Sequence, residues 1–273
     1  MIEENLLYLR SITFLIMRYD IKTNLEAQLS RANRKGDLQA IKEINEKLVP
    51  LTDLPIYHTT GFNHPKLLIY TDRSPWVPEV STWGLVPHLV KDKEQLKEIW
   101  NKTLNARGET IFEKPSFRES AKHNRCFIYV NGFYEHHHFE GKTFPFFIHQ
   151  KNDKPLSLAG LWSEWTDEET GEMLNTFSIV TTQGNKMLSK IHNNPKLEGP
   201  RMPVILPQEL EDKWLNPIED ELDIKSIQEL IREYPEEELD AYTVRRLRGK
   251  EYLGNVEEVS EPFEYATLHV LMK

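Results

Sequence analysis

The sequence predicts an α+β fold: a single domain on a curved, barrel-like antiparallel β-sheet core, with flanking helices. Three features predict it. First, the β-type runs KLLIYT, RCFIYVNGFYEHHH, TFPFFIHQ, LSLAGLWSEW and TFSIVTT follow one another along the chain, separated by stretches carrying Pro, Gly and Asn. Apolar and β-branched runs bounded by turn formers are strand signals. Strands that do not alternate with helices favour an antiparallel sheet over a doubly wound parallel one. Second, Leu25, Leu29, Leu38, Ile41, Ile44 and Leu48 recur at mostly helical spacing, with Thr23 or Asn24 as a cap and Gly36 as a break. Third, 39% hydrophobic and 10% aromatic residues in a chain of 273 are enough for a substantial core. Beyond the sheet, NKMLSKIHNN, LPQELEDKWL and DIKSIQELIREY read as helices, and YATLHVLMK reads as a closing strand.

Composition narrows the function classes. The lone cysteine, Cys126, excludes an intramolecular disulfide, and the expected location is cytoplasmic. The opening MIEENLLYLRSITFLIM places Glu3 and Glu4 where an export signal carries positive charge, and Arg10 interrupts its apolar run. Neither export nor a membrane span is expected. The net charge of -9 is uneven: from Gln208 onward there are 18 acidic against 8 basic residues, leaving the rest balanced. Lys102, Arg107, Lys114, Arg118, Lys122 and Arg125 outnumber Glu109, Glu113 and Glu119, a local excess that can face phosphates or form a solvated mixed-charge face.

Three stretches bear on chemistry. In GFYEHHH a strand would turn His136 and His138 to one face and Glu135 with His137 to the other. Two imidazoles could begin a zinc site, but such a site needs a third protein ligand and usually a spacing such as H-E-x-x-H, which is absent, so surface histidines at a strand end are the simpler reading. Cys126 lies within an apolar strand, where cysteine is more often a small buried hydrophobe than a nucleophile. No G-x-S-x-G, phosphate-binding glycine loop or dinucleotide fingerprint occurs.

The segments STWGLVPHLVKD, LNARGETIFEKPSFRESAKHNRCFIYVNGFYEH, LSLAGLWSEW, FSIVTTQGN and KIHNNPKLEGPRMPVIL, in this order, resemble the SRAP family of SOS-response-associated peptidases, or abasic-site processing proteins. The resemblance runs from about Met17 to about Arg248. It divides the chain into an N-terminal extension, 1–16, and one domain, 17–273. In that family a cysteine exposed by removal of the initiator methionine captures the ring-opened aldehyde of an abasic site in single-stranded DNA as a thiazolidine crosslink. The resemblance implies catalytic roles for Asn105, Glu135 and His192, and DNA contacts for Arg107, Trp83, Thr181 and Arg201. It implies no metal and no organic cofactor, a monomer, and abasic single-stranded DNA as partner.

These roles are chemically coherent. Ring opening and imine formation need proton delivery and removal, which a glutamate of raised pKa or a neutral histidine supplies. Asn105 can hold the amine, Arg107 can fork a phosphate, and Trp83 can stack a base. The chain departs from the family at its nucleophile: Arg18 stands where the cysteine is expected, behind the 16-residue extension. His136 replaces a tryptophan common in relatives. Three readings follow: a crosslinking DNA-repair factor that trims its own N-terminus, a single-strand-binding member whose chemistry is impaired, and a metal-dependent hydrolase using His136 and His138.

Overall fold

A computed structural model describes residues 20–196 and 198–268. Its strands are β1 (Asp20–Thr23), β2 (Ile56–Thr60), β3 (Lys66–Thr71), β4 (Glu79–Trp83), β5 (Asn105–Arg107), β6 (Arg125–Val130), β7 (Gly132–Phe139), β8 (Lys142–Gln150), β9 (Leu156–Thr166), β10 (Met173–Gln183), β11 (Arg201–Pro203), β12 (Ile205–Leu206) and β13 (Leu239–Thr243). In one sheet β10, β4, β3, β6 and β9 pair in turn and β9 pairs back to β10, closing a barrel. A second sheet, in the order β13-β8-β7-β1-β2, packs beside it. The expected antiparallel pairing holds along both sheets except where β4 and β5 run parallel to β10.

The β6 segment RCFIYV is buried at every position because both its faces are covered. Cys126, Ile128 and Val130 join a core shared by barrel and second sheet, with Leu67, Phe177, Phe133 and Ile148. Phe127 and Tyr129 point the other way, onto Trp214 and Ile227. Arg125, counted above among cations facing phosphates, is instead fully buried. Its guanidinium donates to the carbonyls of Trp214 at 2.8 Å, Ala121 at 2.6 Å and Lys122 at 2.9 Å.

The helical segments fall where the sequence places them. Asn24 caps Leu25–Gln28 by accepting from the Ala27 N–H, and Gly36, at φ 66°, ends Ser30–Lys35 before Leu38–Glu43 begins. Helices Lys186–Ile191 and Glu211–Leu215 match the later expectations, whereas Glu221–Gln228 covers only the first half of DIKSIQELIREY and ends six residues before Tyr234. The closing strand does not form over Tyr265–Leu268, and residues 269–273 lie outside the described residues. No helix among the described residues is long and apolar enough to cross a membrane.

Candidate functional site

The site is built on β7. Gly132 opens it where no side chain fits: a Cβ there would lie 2.4 Å from the Ile148 carbonyl oxygen. The close approach holds the β7–β8 register in which Glu135 faces Phe146. A two-residue turn, Glu140 at φ 48° and Gly141 at φ 72°, closes the hairpin. Alternation then separates the side chains: Phe133 enters the shared core, Tyr134 a cluster on the opposite face, and Glu135 follows Phe133.

Glu135 is 3% exposed, and its Oε1 lies 3.5 Å from His192 Nδ1. Burial pushes its carboxyl well above the usual range; the Asp20 charge adds to the rise, against the opposing effects of the His136 N–H and Arg248. Burial also lowers the His192 imidazole. A protonated carboxyl beside a neutral imidazole is the favoured state, suited to passing a proton in either direction.

His192 follows the helix Lys186–Ile191, whose N-terminus is capped by Asn185. The histidine run on β7 holds the other end of this helix. His137 Nδ1 donates to the Lys190 carbonyl at 2.9 Å, while the Asn193 amide accepts from the His138 N–H at 2.6 Å and donates to its carbonyl at 3.0 Å. These contacts fix His192 over Glu135. Eight residues separate His192 from Arg201, yet the Arg201 N–H lies 3.5 Å from His192 Nδ1.

From Arg201 the site extends to the barrel. Its guanidinium donates to the Thr181 carbonyl at 2.8 Å and to Glu109 through two bonds of 2.9 and 2.7 Å. Burial would raise the Glu109 carboxyl, but these bonds outweigh it and keep it below its usual range. Thr181 lies opposite Arg107 in the parallel β5–β10 pair, with Asn105 opposite Ile179. Arg107 pairs with Glu198 at 3.0 Å, both exposed. The Asn105 amide oxygen is buried, and its backbone follows Leu104, whose carbonyl accepts the Trp83 indole N–H at 2.8 Å.

Glu135 and His192 thus meet directly, and Arg201, Thr181, Arg107 and Asn105 follow by adjoining contacts. Arg18 lies outside the described residues. The stacking role expected of Trp83 is corrected: it is fully buried, lies parallel to Phe177 with centroids 6.1 Å apart, and has no face open to a base. It supports the Leu104–Asn105 backbone instead. Thr181 is 1% exposed and acts as an anchor for Arg201. Cys126 is fully buried and its thiol is raised by burial, which removes it as a nucleophile. His136 and His138 meet no third ligand: the described residues hold no group of three or more His, Cys, Asp or Glu placed for a metal ion.

Sequence reading missed Glu109, whose i+2 position after Arg107 hides that it serves Arg201. It also missed a polar cluster behind β7. Asp20, fully buried, takes His58 at 3.1 Å and Arg248 at 3.0 Å, and His58 Nδ1 lies 2.7 Å from the Tyr252 hydroxyl. Asp20 lies opposite Tyr134, so β1 begins one residue away from Glu135 along β7.

A model of the SOS response associated peptidase (SRAP) family matches residues 18–250. The abasic site processing protein YoqW of Bacillus subtilis is 39% identical over 166 residues, 60% of this chain and 68% of its own length. The abasic site processing protein HMCES of Pongo abelii is 33% identical over 162 residues, 49% of this chain and 44% of its own. Among solved structures, a protein of Bacteroides thetaiotaomicron, 33% identical, superposes with a TM-score of 0.75 over 90% of this chain and 99% of its own.

Proposed function

Since this chain belongs to the SRAP family, we propose that it binds single-stranded DNA and acts at abasic sites, with Glu135 and His192 as its proton-transfer pair. The observation that carries this reading is the buried pair itself, 3.5 Å apart, joined through Arg201 and Thr181 to the strand that bears Asn105 and Arg107. Glu135 delivers a proton to the ring oxygen as its bond to C1′ breaks, and recovers one from the C1′ hydroxyl, which becomes the aldehyde. The exposed aldehyde then takes up an amine, and loss of water gives an imine. His192 takes the proton the amine sheds, and Asn105 holds the amine in line. Arg107 and Arg201 face the phosphates once Glu198 and Glu109 yield to them.

In the family chemistry the thiol of an N-terminal cysteine adds across the imine and closes a thiazolidine. Here Arg18 occupies that position. Cleavage after Met17 would free an amine able to form the reversible imine, with no thiol to close the ring. The second reading is therefore a member that keeps single-strand binding and proton transfer but crosslinks weakly, and Arg18 is the observation that favours it. Denaturing gels with abasic single-stranded DNA distinguish the two. The unaltered chain is expected to give little heat-stable adduct, and a version beginning Met-Cys in place of Met17-Arg18 a strong one. A strong adduct from the unaltered chain refutes the impaired reading. No adduct and no imine trapping from either version refutes action at abasic sites.

A further inference from the structure

We propose that the pocket formed by Arg245, Arg246, Phe263 and Tyr265 is a second single-strand subsite, taking a phosphodiester on its guanidiniums and a base on its aromatic rings. It deepens the reading above and rests on it. The pocket has a volume of about 270 Å³, with Glu251 and Leu253 completing its wall. Its charge runs against its surroundings. Arg245, Arg246, Arg248 and Lys250 fall within six residues of a chain quarter that is otherwise strongly acidic. Arg248 is occupied by Asp20, whereas Arg245 is exposed and lies over the Phe263 ring at 4.7 Å. Arg246 lies 5.7 Å from the Tyr265 centroid; its Nη1 donates to the Thr143 carbonyl and its Nε lies 3.8 Å from Glu251, which leaves Nη2 for a phosphate oxygen.

The aromatic part is rigid. Phe263 is tied to Thr243 by two bonds of 2.7 Å, and the Tyr265 hydroxyl donates to the Val244 carbonyl at 2.8 Å. Phe263 and Tyr265 meet edge to face with centroids 4.9 Å apart. Guanidiniums beside fixed aromatic rings are the combination by which single strands are held without sequence preference, a cation for the backbone and a π-face for the base.

Its location fits a strand passing through the site. Tyr265 packs edge-on against Phe144, which lies opposite His137 and so shares the β7–β8 face that carries Glu135. Thr243 lies opposite Phe146, which lies opposite Glu135. Two interstrand spacings, about 10 Å, therefore separate the start of the Arg245 segment from the Glu135 column. Nucleotides flanking the reacting sugar can span that distance.

Fluorescence anisotropy of the full chain with a labelled oligothymidylate, titrated over salt, tests the subsite. Arg245→Gln should lower the slope of log affinity against log salt by about 0.7, the value for one lost phosphate contact on a single strand. Phe263→Leu, which keeps the apolar packing, should weaken binding by about 5-fold or more, the lower range for one stacked base. If Arg107→Gln lowers the slope while both pocket variants bind like the unaltered chain, the subsite is overturned and the main reading stands. If the unaltered chain shows no salt-dependent binding, both fall. Inorganic polyphosphate is the control: an equal loss on it from Phe263→Leu would overturn the base-stacking half.

Discussion

Glu135 is the residue whose environment works against stability and, in the proposed function, for chemistry. A carboxyl buried among core residues, with one backbone N–H at 3.3 Å and one imidazole at 3.5 Å as its partners among the described residues, holds its proton tightly. The sign for stability follows from proton counting. The folded chain keeps the Glu135 proton to higher pH than the unfolded chain, so stability is lost as pH rises from the ordinary carboxylate range up to the folded-state value. Glu135→Gln keeps the shape and abolishes that loss. At pH 8 the variant should melt at the same temperature as the unaltered chain or higher. Its rate of imine formation with an abasic strand, read by borohydride trapping, should fall by roughly 10²-fold or more. A variant that unfolds easily and keeps its rate would assign Glu135 to the fold alone.

At the scale of the element, β7 carries the site because its two ends are fixed. Gly132 admits no Cβ beside the Ile148 carbonyl, and the Glu140–Gly141 turn sets the hairpin register. Gly132→Ala should cost about 1–3 kcal/mol, read as a lower denaturant midpoint at unchanged slope, and should reduce the trapping rate as Glu135 shifts away from His192. Much of this element was legible in the sequence. The alternation of GFYEHHH placed Glu135 with His137 and apart from His136, and the structure keeps that division, because period-2 geometry is local. The function of the histidine run was not legible: His137 and His138 hold Lys190 and Asn193, partners 53 and 55 residues away. Trp83 shows the same limit from the other side. A tryptophan in STWG reads equally well as a stacking platform or a core residue, and only closure of β4 against β10 decides that it is core. Strands β1, β2, β4 and β13 also escaped, since each is only four or five residues long and lacks a sustained apolar run.

Across the whole molecule, the cluster behind β7 joins chain segments that lie far apart. Asp20, His58, Tyr252 and Arg248 tie the first described strand to the segment after β13. His136 faces this cluster. Burial lowers its imidazole to about 4, an effect that Arg248, His58 and His138 reinforce and Asp20 opposes. Burial alone would raise the Asp20 carboxyl, but the His58 bond and the His58 and Arg248 charges hold it below its usual range. The folded chain refuses the His136 proton that the unfolded chain accepts, so stability falls as pH drops from about 6.5 to about 4. The full span corresponds to no more than about 3 kcal/mol, less whatever solvent access restores. Glu135, its neighbour on the other face, has the opposite slope from the ordinary carboxylate range upward, so the two oppose each other in the unaltered chain. Each single substitution should expose the other group. In urea titrations between pH 4.5 and 6.5, Glu135→Gln should gain stability as pH rises, and His136→Gln should lose it, with His192 leaving a smaller residual slope of the Glu135→Gln sign. Below about pH 4 both variants should weaken together as the Asp20 carboxylate, unaltered in either, is protonated. Parallel profiles for the two variants between pH 4.5 and 6.5 would show that adjacent residues of β7 do not divide the sheet into an acid-holding face and a proton-refusing one.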